Sequence, residues 1–233
     1  MSTPILSERP VVVITGASGG IGAALARRVA PTHALSLVAR RHAELTHVGE
    51  QQTASTGTPV LTICADVTSR AEVQRIVRET LARFGRIDAG VNNVGQGISR
   101  IPSELTDDDI DDMMRINVKS ALYGMQEILP HFQAVGRGHV VNVSSMLGRA
   151  PFALQRSAYS AAKHFLNALT ANYRTEVQAT HPEIQLSLIS PGVVRTDFGL
   201  NALHGGIDSR QLPESQSADE VAAIIAAVLA DRR

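Results

Sequence analysis

Residues 11 to 22 read Val-Val-Val-Ile-Thr-Gly-Ala-Ser-Gly-Gly-Ile-Gly. The apolar, β-branched run Val11 to Ile14 describes a strand buried on both faces. Thr15-Gly16 ends it. Ile21, Leu25 and Val29 then recur at helical spacing over residues 19 to 30, and Pro31 stops the helix. Glycine allows the tight turn and lets an anion approach the backbone, while the helix start offers free N–H groups and positive potential. Placed between a buried strand and an amphipathic helix, the loop predicts a dinucleotide site at Gly16, Ser18, Gly20, Ile21 and Gly22. A purely steric glycine turn is the alternative. No Lys-Ser/Thr pair follows, so the loop is not a P-loop.

Working outward, strand-like runs recur at Ala34 to Ala39, Val60 to Cys64, Ile87 to Val91, His139 to Val143 and Ile184 to Ile189. Amphipathic stretches separate them, as at Val73, Ile76, Val77, Thr80 and Leu81. The alternation predicts an α/β fold, a parallel sheet covered on both faces and wound with right-handed crossovers. No repeat or linker divides residues 1 to 233, a length that suits one domain.

Composition removes several partner classes. Lys+Arg and Asp+Glu are 22 each, aromatics make up 3% and Trp is absent, so nothing favours nucleic acid. The apolar run Val221 to Ala230 is too short to cross a bilayer, and residues 1 to 10 lack a signal-peptide core. A cytoplasmic protein without membrane contact is expected. The single cysteine, Cys64, builds neither a disulfide framework nor a metal site and reads as a small buried hydrophobe. The eight His show no ligand spacing. Thr106 followed by Asp107, Asp108 and Asp109 reads as a capped helix start rather than a cation site, so no metal is expected.

Two features bear on chemistry. The second strand ends at Ala39-Arg40-Arg41, where an NAD site usually carries an acid; guanidiniums suit a 2′-phosphate and favour NADP(H) over NAD(H). Both Arg being ordinary solvated charges is the alternative. Of the 22 basic residues, 20 are Arg and only Lys119 and Lys163 are Lys, so a compact ammonium at 163 stands out. Tyr159 and Lys163 lie at i and i+4 of a helical stretch, where a fixed cation favours the phenolate of a group whose free pKa is near 10. Upstream, Val140 to Ser145 reads as a strand delivering hydroxyls to its C-terminal end, the edge at which open α/β sheets bind ligands.

With Asp66, Asn92-Asn93-Val94-Gly95, Asn117, Ser145 and Pro191-Gly192 with Thr196 added in order, the chain resembles the short-chain dehydrogenase/reductase family over nearly its whole length. The resemblance implies a Rossmann-type doubly wound sheet and an oxidoreductase that interconverts a carbonyl and a secondary alcohol. It implies that Tyr159 is the general acid and that Lys163 lowers its pKa and holds the nicotinamide ribose. Ser145 would bind the substrate oxygen, with Ser144 a rival, and Asn117 would hold a water that relays protons from Lys163. Asp66, with Val67 beside it, would accept from the adenine. Asn93 and Gly95 would pass the adenosine, and Val194 and Thr196 would contact the carboxamide.

Departures from the family pattern carry expectations too. Ser145 precedes Tyr159 by 14 residues rather than 13. Val94 narrows the cofactor groove, and Gly90 leaves a packing gap. Residues 218 to 231 read as a last helix with no seventh strand after it, which favours a homodimer through residues 104–134 and 157–180 over a tetramer. Substrate choice falls to Gln96–Ile98, Met146–Gln155 and the Gly-rich segment Phe198–Pro213, which suits a mobile lid. Met146, Leu147, Phe152, Leu154, Phe198 and Leu203 suit a small apolar carbonyl compound. Arg149, Arg156 and His204 read as solvated surface, with a carboxylate contact as the alternative. An NAD-dependent alcohol dehydrogenase and a non-catalytic NADP(H) sensor are the competing functions.

Overall fold

Strand β1 (Val11–Thr15) is buried at all five positions and β2 (Ala34–Ala39) at all six, so both lie inside a sheet covered on each face. The computed structural model describes residues 7–231. With β3 (Val60–Cys64), β4 (Ala89–Asn92), β5 (Gly138–Val143) and β6 (Ile184–Ile189), the strands form one parallel sheet in the order β3-β2-β1-β4-β5-β6. The order reverses between β1 and β4, and that switch point opens a crevice beyond the carboxyl ends of the strands.

Three helices cover each face. On one side α1 (Gly20–Val29), α2 (His42–Thr56) and α7 (Ala218–Ala230) bury Leu25, Leu45 and Ile225 against Ile14 and Val141. On the other, α3 (Arg70–Phe84), α5 (Ser120–Val135) and α6 (Ser157–Gln178) bury Ile76, Phe132 and Val177 against Val13 and Val140. A seventh helix, α4 (Asp107–Met114), begins at Thr106 with a reciprocal capping box to Asp109. It runs into α5 through a π-helical turn over Arg115–Lys119.

Three expectations are corrected. Strand β4 starts at Ala89 rather than Ile87, and the Ile87 N–H donates to His131 Nε2 at 3.1 Å rather than to a neighbouring strand. No gap lies at Gly90: Ile128 Cδ1 comes within 3.1 Å of where a Cβ would stand. Cys64 is exposed, not buried. It ends the outermost strand, where its thiol donates to the Arg40 carbonyl at 3.3 Å yet stays open to solvent. At the opposite edge β6 has no further strand beside it among the described residues, and the Leu186 carbonyl accepts from Arg174 Nε at 2.7 Å.

Candidate active site

The turn after β1 works because two glycines take left-handed φ values, Gly16 at 68° and Gly20 at 52°. Gly22 is required for space: a Cβ there would sit 2.4 Å from the Gly16 oxygen. No side chain caps α1, so its first N–H groups face the cleft without an internal partner. Asn93 holds the loop from β4, its Nδ2 donating to the Thr15 oxygen at 3.1 Å and its backbone N–H to the Thr15 hydroxyl at 3.0 Å. Val94 lies beside Gly16, its Cγ2 3.4 Å from a Cβ built there.

These elements open onto a single cleft of about 810 Å³. Its far end is lined by Arg40, Arg41, Asp66 and Val67. Arg41 reaches back to the loop, its Nε and Nη2 donating to the Ser18 hydroxyl at 3.2 and 3.0 Å. Partial burial pushes the Asp66 carboxyl up, but hydrogen bonds from Thr68 and the charges of Arg40 and Arg115 outweigh it and hold the group below its ordinary value. Val194 and Thr196 form the opposite wall, with Thr196 Cγ2 3.2 Å from a Cβ built on Gly20. A cradle that any side chain at 22 would fill, an uncapped helix start and two guanidiniums beyond it suit a dinucleotide diphosphate.

At the near end the structure brings together Ser145, Tyr159 and Lys163. Ser144 turns to the Asn167 amide oxygen at 2.5 Å, whereas the Ser145 hydroxyl accepts from the Leu147 N–H at 3.1 Å and lines the cleft beside Tyr159. Lys163 Nζ donates to the Val143 carbonyl at 3.0 Å and lies 5.6 Å from the Tyr159 ring centroid. Burial pushes the Tyr159 phenol up to about 12, against which Ser145 and the charge of Arg156 pull downward. Burial also pushes the Lys163 ammonium down to about 8. The expected lowering of Tyr159 by Lys163 is not found: the downward influences come from Ser145 and Arg156, and both Tyr159 and Lys163 are almost wholly withdrawn from water.

Asn117 stands on the π turn, with Oδ1 accepting from the Gln96 N–H at 3.1 Å and Nδ2 donating to the Gln96 carbonyl at 3.0 Å. That pair of hydrogen bonds fixes the loop after β4 at Gly95, where a Cβ would meet Asn117 Oδ1 at 3.1 Å and Lys163 Nζ at 3.4 Å. Lys119, the other lysine, is exposed. His164 turns Nδ1 to the Ser160 carbonyl at 2.9 Å, and the ring is not part of the cleft wall.

The outer wall combines Met146, Leu147, Phe152, Phe198 and Ile207. Phe198 rests against Tyr159 with ring centroids 5.5 Å apart and tilted by 59°. Two residues read as solvated surface are engaged instead. Arg156 is part-buried in the cleft wall, and His204 pairs with Asp109. Sequence reasoning also missed Asn167, whose Nδ2 donates to the Gly148 carbonyl at 2.7 Å, and Ser209, whose hydroxyl donates to the Thr196 carbonyl at 2.8 Å. Both act on backbone far away in sequence, and no local pattern marks them. Among the described residues no helix is long and apolar enough to cross a membrane, and no three His, Cys, Asp or Glu side chains group to hold a metal.

The short chain dehydrogenase family model matches residues 10–204. An uncharacterised oxidoreductase of Staphylococcus epidermidis is 33% identical over 202 residues, which is 82% of this chain and 84% of that protein. A short-chain dehydrogenase of Sphingobium yanoikuyae, solved in complex with NADPH, is 30% identical with a TM-score of 0.84, covering 96% of this chain and 85% of its own. A short-chain dehydrogenase/reductase of Burkholderia phymatum, solved in complex with NAD, reaches a TM-score of 0.87 at 24% identity, covering 98% of this chain and 88% of its own. At that identity the likeness is one of fold.

Proposed function

The chain belongs to the short chain dehydrogenase family as an oxidoreductase that binds NAD(P), and from that premise we propose that it interconverts a small carbonyl compound and its secondary alcohol with NADP(H). The observation that carries the reading is the meeting of Tyr159, Ser145 and Lys163 in the same cleft as the uncapped start of α1. Gly16, Ser18, Gly20, Ile21 and Gly22 would hold the diphosphate, Arg40 and Arg41 the 2′-phosphate, and Asp66 with Val67 the adenine. Asn93 and Gly95 would flank the adenosine, and Val194 and Thr196 the carboxamide. The nicotinamide, when bound, supplies or accepts the hydride.

What the chain itself contributes is proton handling and charge stabilisation. A phenol pushed up to about 12 keeps its proton at neutral pH, the form that donates to a carbonyl oxygen. Ser145 donates toward the same oxygen and stabilises the charge that develops there. Arg156 and Ser145 both favour the phenolate left behind. Lys163, with a pKa near 8, can return a proton to Tyr159, and Asn117 keeps the path between Gly95 and Lys163 in register. Met146, Leu147, Phe152 and Phe198 would enclose an apolar substrate body.

One observation favours NAD in place of NADP: Arg41 already donates to Ser18 and lies 3.8 Å from Glu44. The test is consumption of NADPH and NADH across ketones, aldehydes, keto sugars and 3-oxoacyl thioesters, by wild type and Tyr159→Phe. Turnover with NADPH that falls by orders of magnitude in the variant, with nucleotide binding kept, supports the reading. Faster turnover with NADH moves it to the NAD enzyme, and silence with tight NADPH binding moves it to a sensor. The protein is further expected to act as a homodimer through α4–α5 and α6, where Ile110 and Phe165 are exposed apolar residues. A stable tetramer in light scattering at micromolar concentration would sink that expectation.

A further inference from the structure

Arg156 precedes Tyr159 by three residues where a short 3-10 turn, Leu154–Arg156, runs into α6. Residues three apart at a helix start leave the chain on the same side, so the guanidinium and the phenol face one space. Room for the guanidinium is made by two glycines from separate loops. A Cβ on Gly97 would lie 3.0 Å from its Nη1, and one on Gly206 would lie 2.9 Å from its Nη2. Nη1 donates to the Ile98 carbonyl at 2.9 Å. A guanidinium carries five N–H donors, so a single carbonyl leaves most of the fork unused.

The charge is not balanced locally. Among the described residues Arg156 pairs with no carboxylate, whereas Arg100 and Arg86 each have one and Arg75 and Arg210 each have two. The acids in the cleft wall are Asp66, which stands beyond the glycine loop beside Arg40, and Asp197, which pairs with Arg210 at 3.1 Å. Burial lowers the Arg156 pKa, while those of Arg75, Arg86 and Arg210 are raised by their partners. A part-buried cation without a counter-charge is held at a cost, and an arriving anion removes it. No side chain caps α6, so the positive end of that helix adds to the same potential.

We propose that the carbonyl substrate is an oxo acid, its carboxylate gripped by the Arg156 fork while its carbonyl faces Tyr159 and Ser145. The proposal rests on the carbonyl–alcohol reading above and names the substrate class of that site. Cβ atoms three residues apart on a helix are separated by about 5–6 Å, so carboxylate and carbonyl lie a few bonds apart in one short molecule. The apolar remainder lies against Phe152 and Phe198. The reverse substrate is the matching hydroxy acid.

The experiment compares oxo acids with their methyl esters, for example 3-oxobutanoate and 4-methyl-2-oxopentanoate, in NADPH turnover. In parallel, binding of the hydroxy acids to the NADPH complex is followed by nucleotide fluorescence. Wild type should prefer acid to ester by about 30-fold or more in kcat/KM, with the difference in KM, and Arg156→Gln should bring that ratio close to unity. Arg156→Lys should restore part of it. Equal use of acid and ester by wild type, a comparison that needs no variant, overturns the proposal. So does an acid-to-ester ratio that survives in Arg156→Gln, which would leave Arg156 a stitch between Ile98 and the glycine loops. Neutral ketones reduced without any carboxylate effect sink the oxo-acid assignment and keep the reductase. Carboxylate binding that depends on Arg156, without turnover of any carbonyl, sinks the reductase and keeps the anion site.

Discussion

His204 Nε2 lies 2.7 Å from Asp109 Oδ1, a bond between the Gly-rich segment that lines the cleft and the first turn of α4. Asp109 also accepts from the Thr106 N–H at 3.0 Å and from Arg100 Nη1 at 2.8 Å, and His204 is the largest of the influences holding its carboxyl well below the usual carboxylate range. His204 takes a left-handed φ of 61°, unusual for a residue with a side chain, so the surrounding contacts hold it there. Replacing His204 by Ala should speed amide exchange across residues 197 to 213 by about tenfold. Asp109→Asn should do the same and also lower the thermal midpoint, through the weakened capping box and the lost charge-assisted bonds. Unchanged exchange in both variants would show that the bond does not restrain the segment.

The preference between nucleotides is expected to rest on Arg40 and Arg41. Changing both to Ala should weaken NADPH binding by about 100-fold while NADH changes little, because only the former carries a 2′-phosphate for the guanidiniums to meet. Equal weakening of both nucleotides would assign Arg41 to the loop it braces through Ser18 rather than to the phosphate.

Gly22→Ala tests the loop itself. The added methyl would meet the Gly16 carbonyl oxygen at 2.4 Å and Asn93 Nδ2 at 2.9 Å, and the backbone at Gly16 cannot swing aside as a side chain can. Nucleotide affinity should fall below detection, with a loss of stability of about 1–3 kcal/mol from overpacking. Gly57→Ala is a useful contrast, since nothing lies within 4 Å of its Cβ position and only its φ of 66° is strained. That variant should bind nucleotide as wild type does.

His139 should set part of the acid limit of stability. It is buried on β5 with Nε2 2.8 Å from the hydroxyl of Ser187 on the neighbouring β6, and burial pushes its pKa down to about 4 from 6.5. Between those values the unfolded chain binds a proton that the folded chain refuses, so stability is fully present above pH 6.5 and is lost as the pH falls toward 4. The loss attributable to this group is on the order of 3 kcal/mol. Urea denaturation at pH 7 and pH 4.5 should show a smaller drop for His139→Gln than for wild type. Equal drops would assign the acid sensitivity to carboxylates instead.

The sheet and both ends of the cleft were legible because their signals are local. Val11 to Gly22 carries strand, turn and helix in twelve consecutive residues, and Tyr159 and Lys163 share one helix face. What stayed hidden depends on chain segments meeting. Cys64 shares the apolar run of its strand, but its exposure follows from the place of β3 at the sheet's edge. Arg156 reads as one arginine among 20 until Gly97 and Gly206 close around it from two other loops. The state of Tyr159 could not be judged from its spacing to Lys163 either, since burial of both groups decides it.

Between α4 and α5 the backbone winds five residues, Arg115 to Lys119, more loosely than an α-helix would. Such a turn lodges one residue more than a regular helix of the same length needs. Deleting a single residue there would close the wide turn into a regular helix and leave the two halves in register, but it would remove the bulge that places Asn117. Asn117 would then lose its paired hydrogen bonds to Gln96. The segment is therefore constrained in its count of residues more than in their identity. Scanning substitutions at exposed Lys119 should be tolerated, whereas every one-residue deletion from 115 to 119 should cost the enzyme its function.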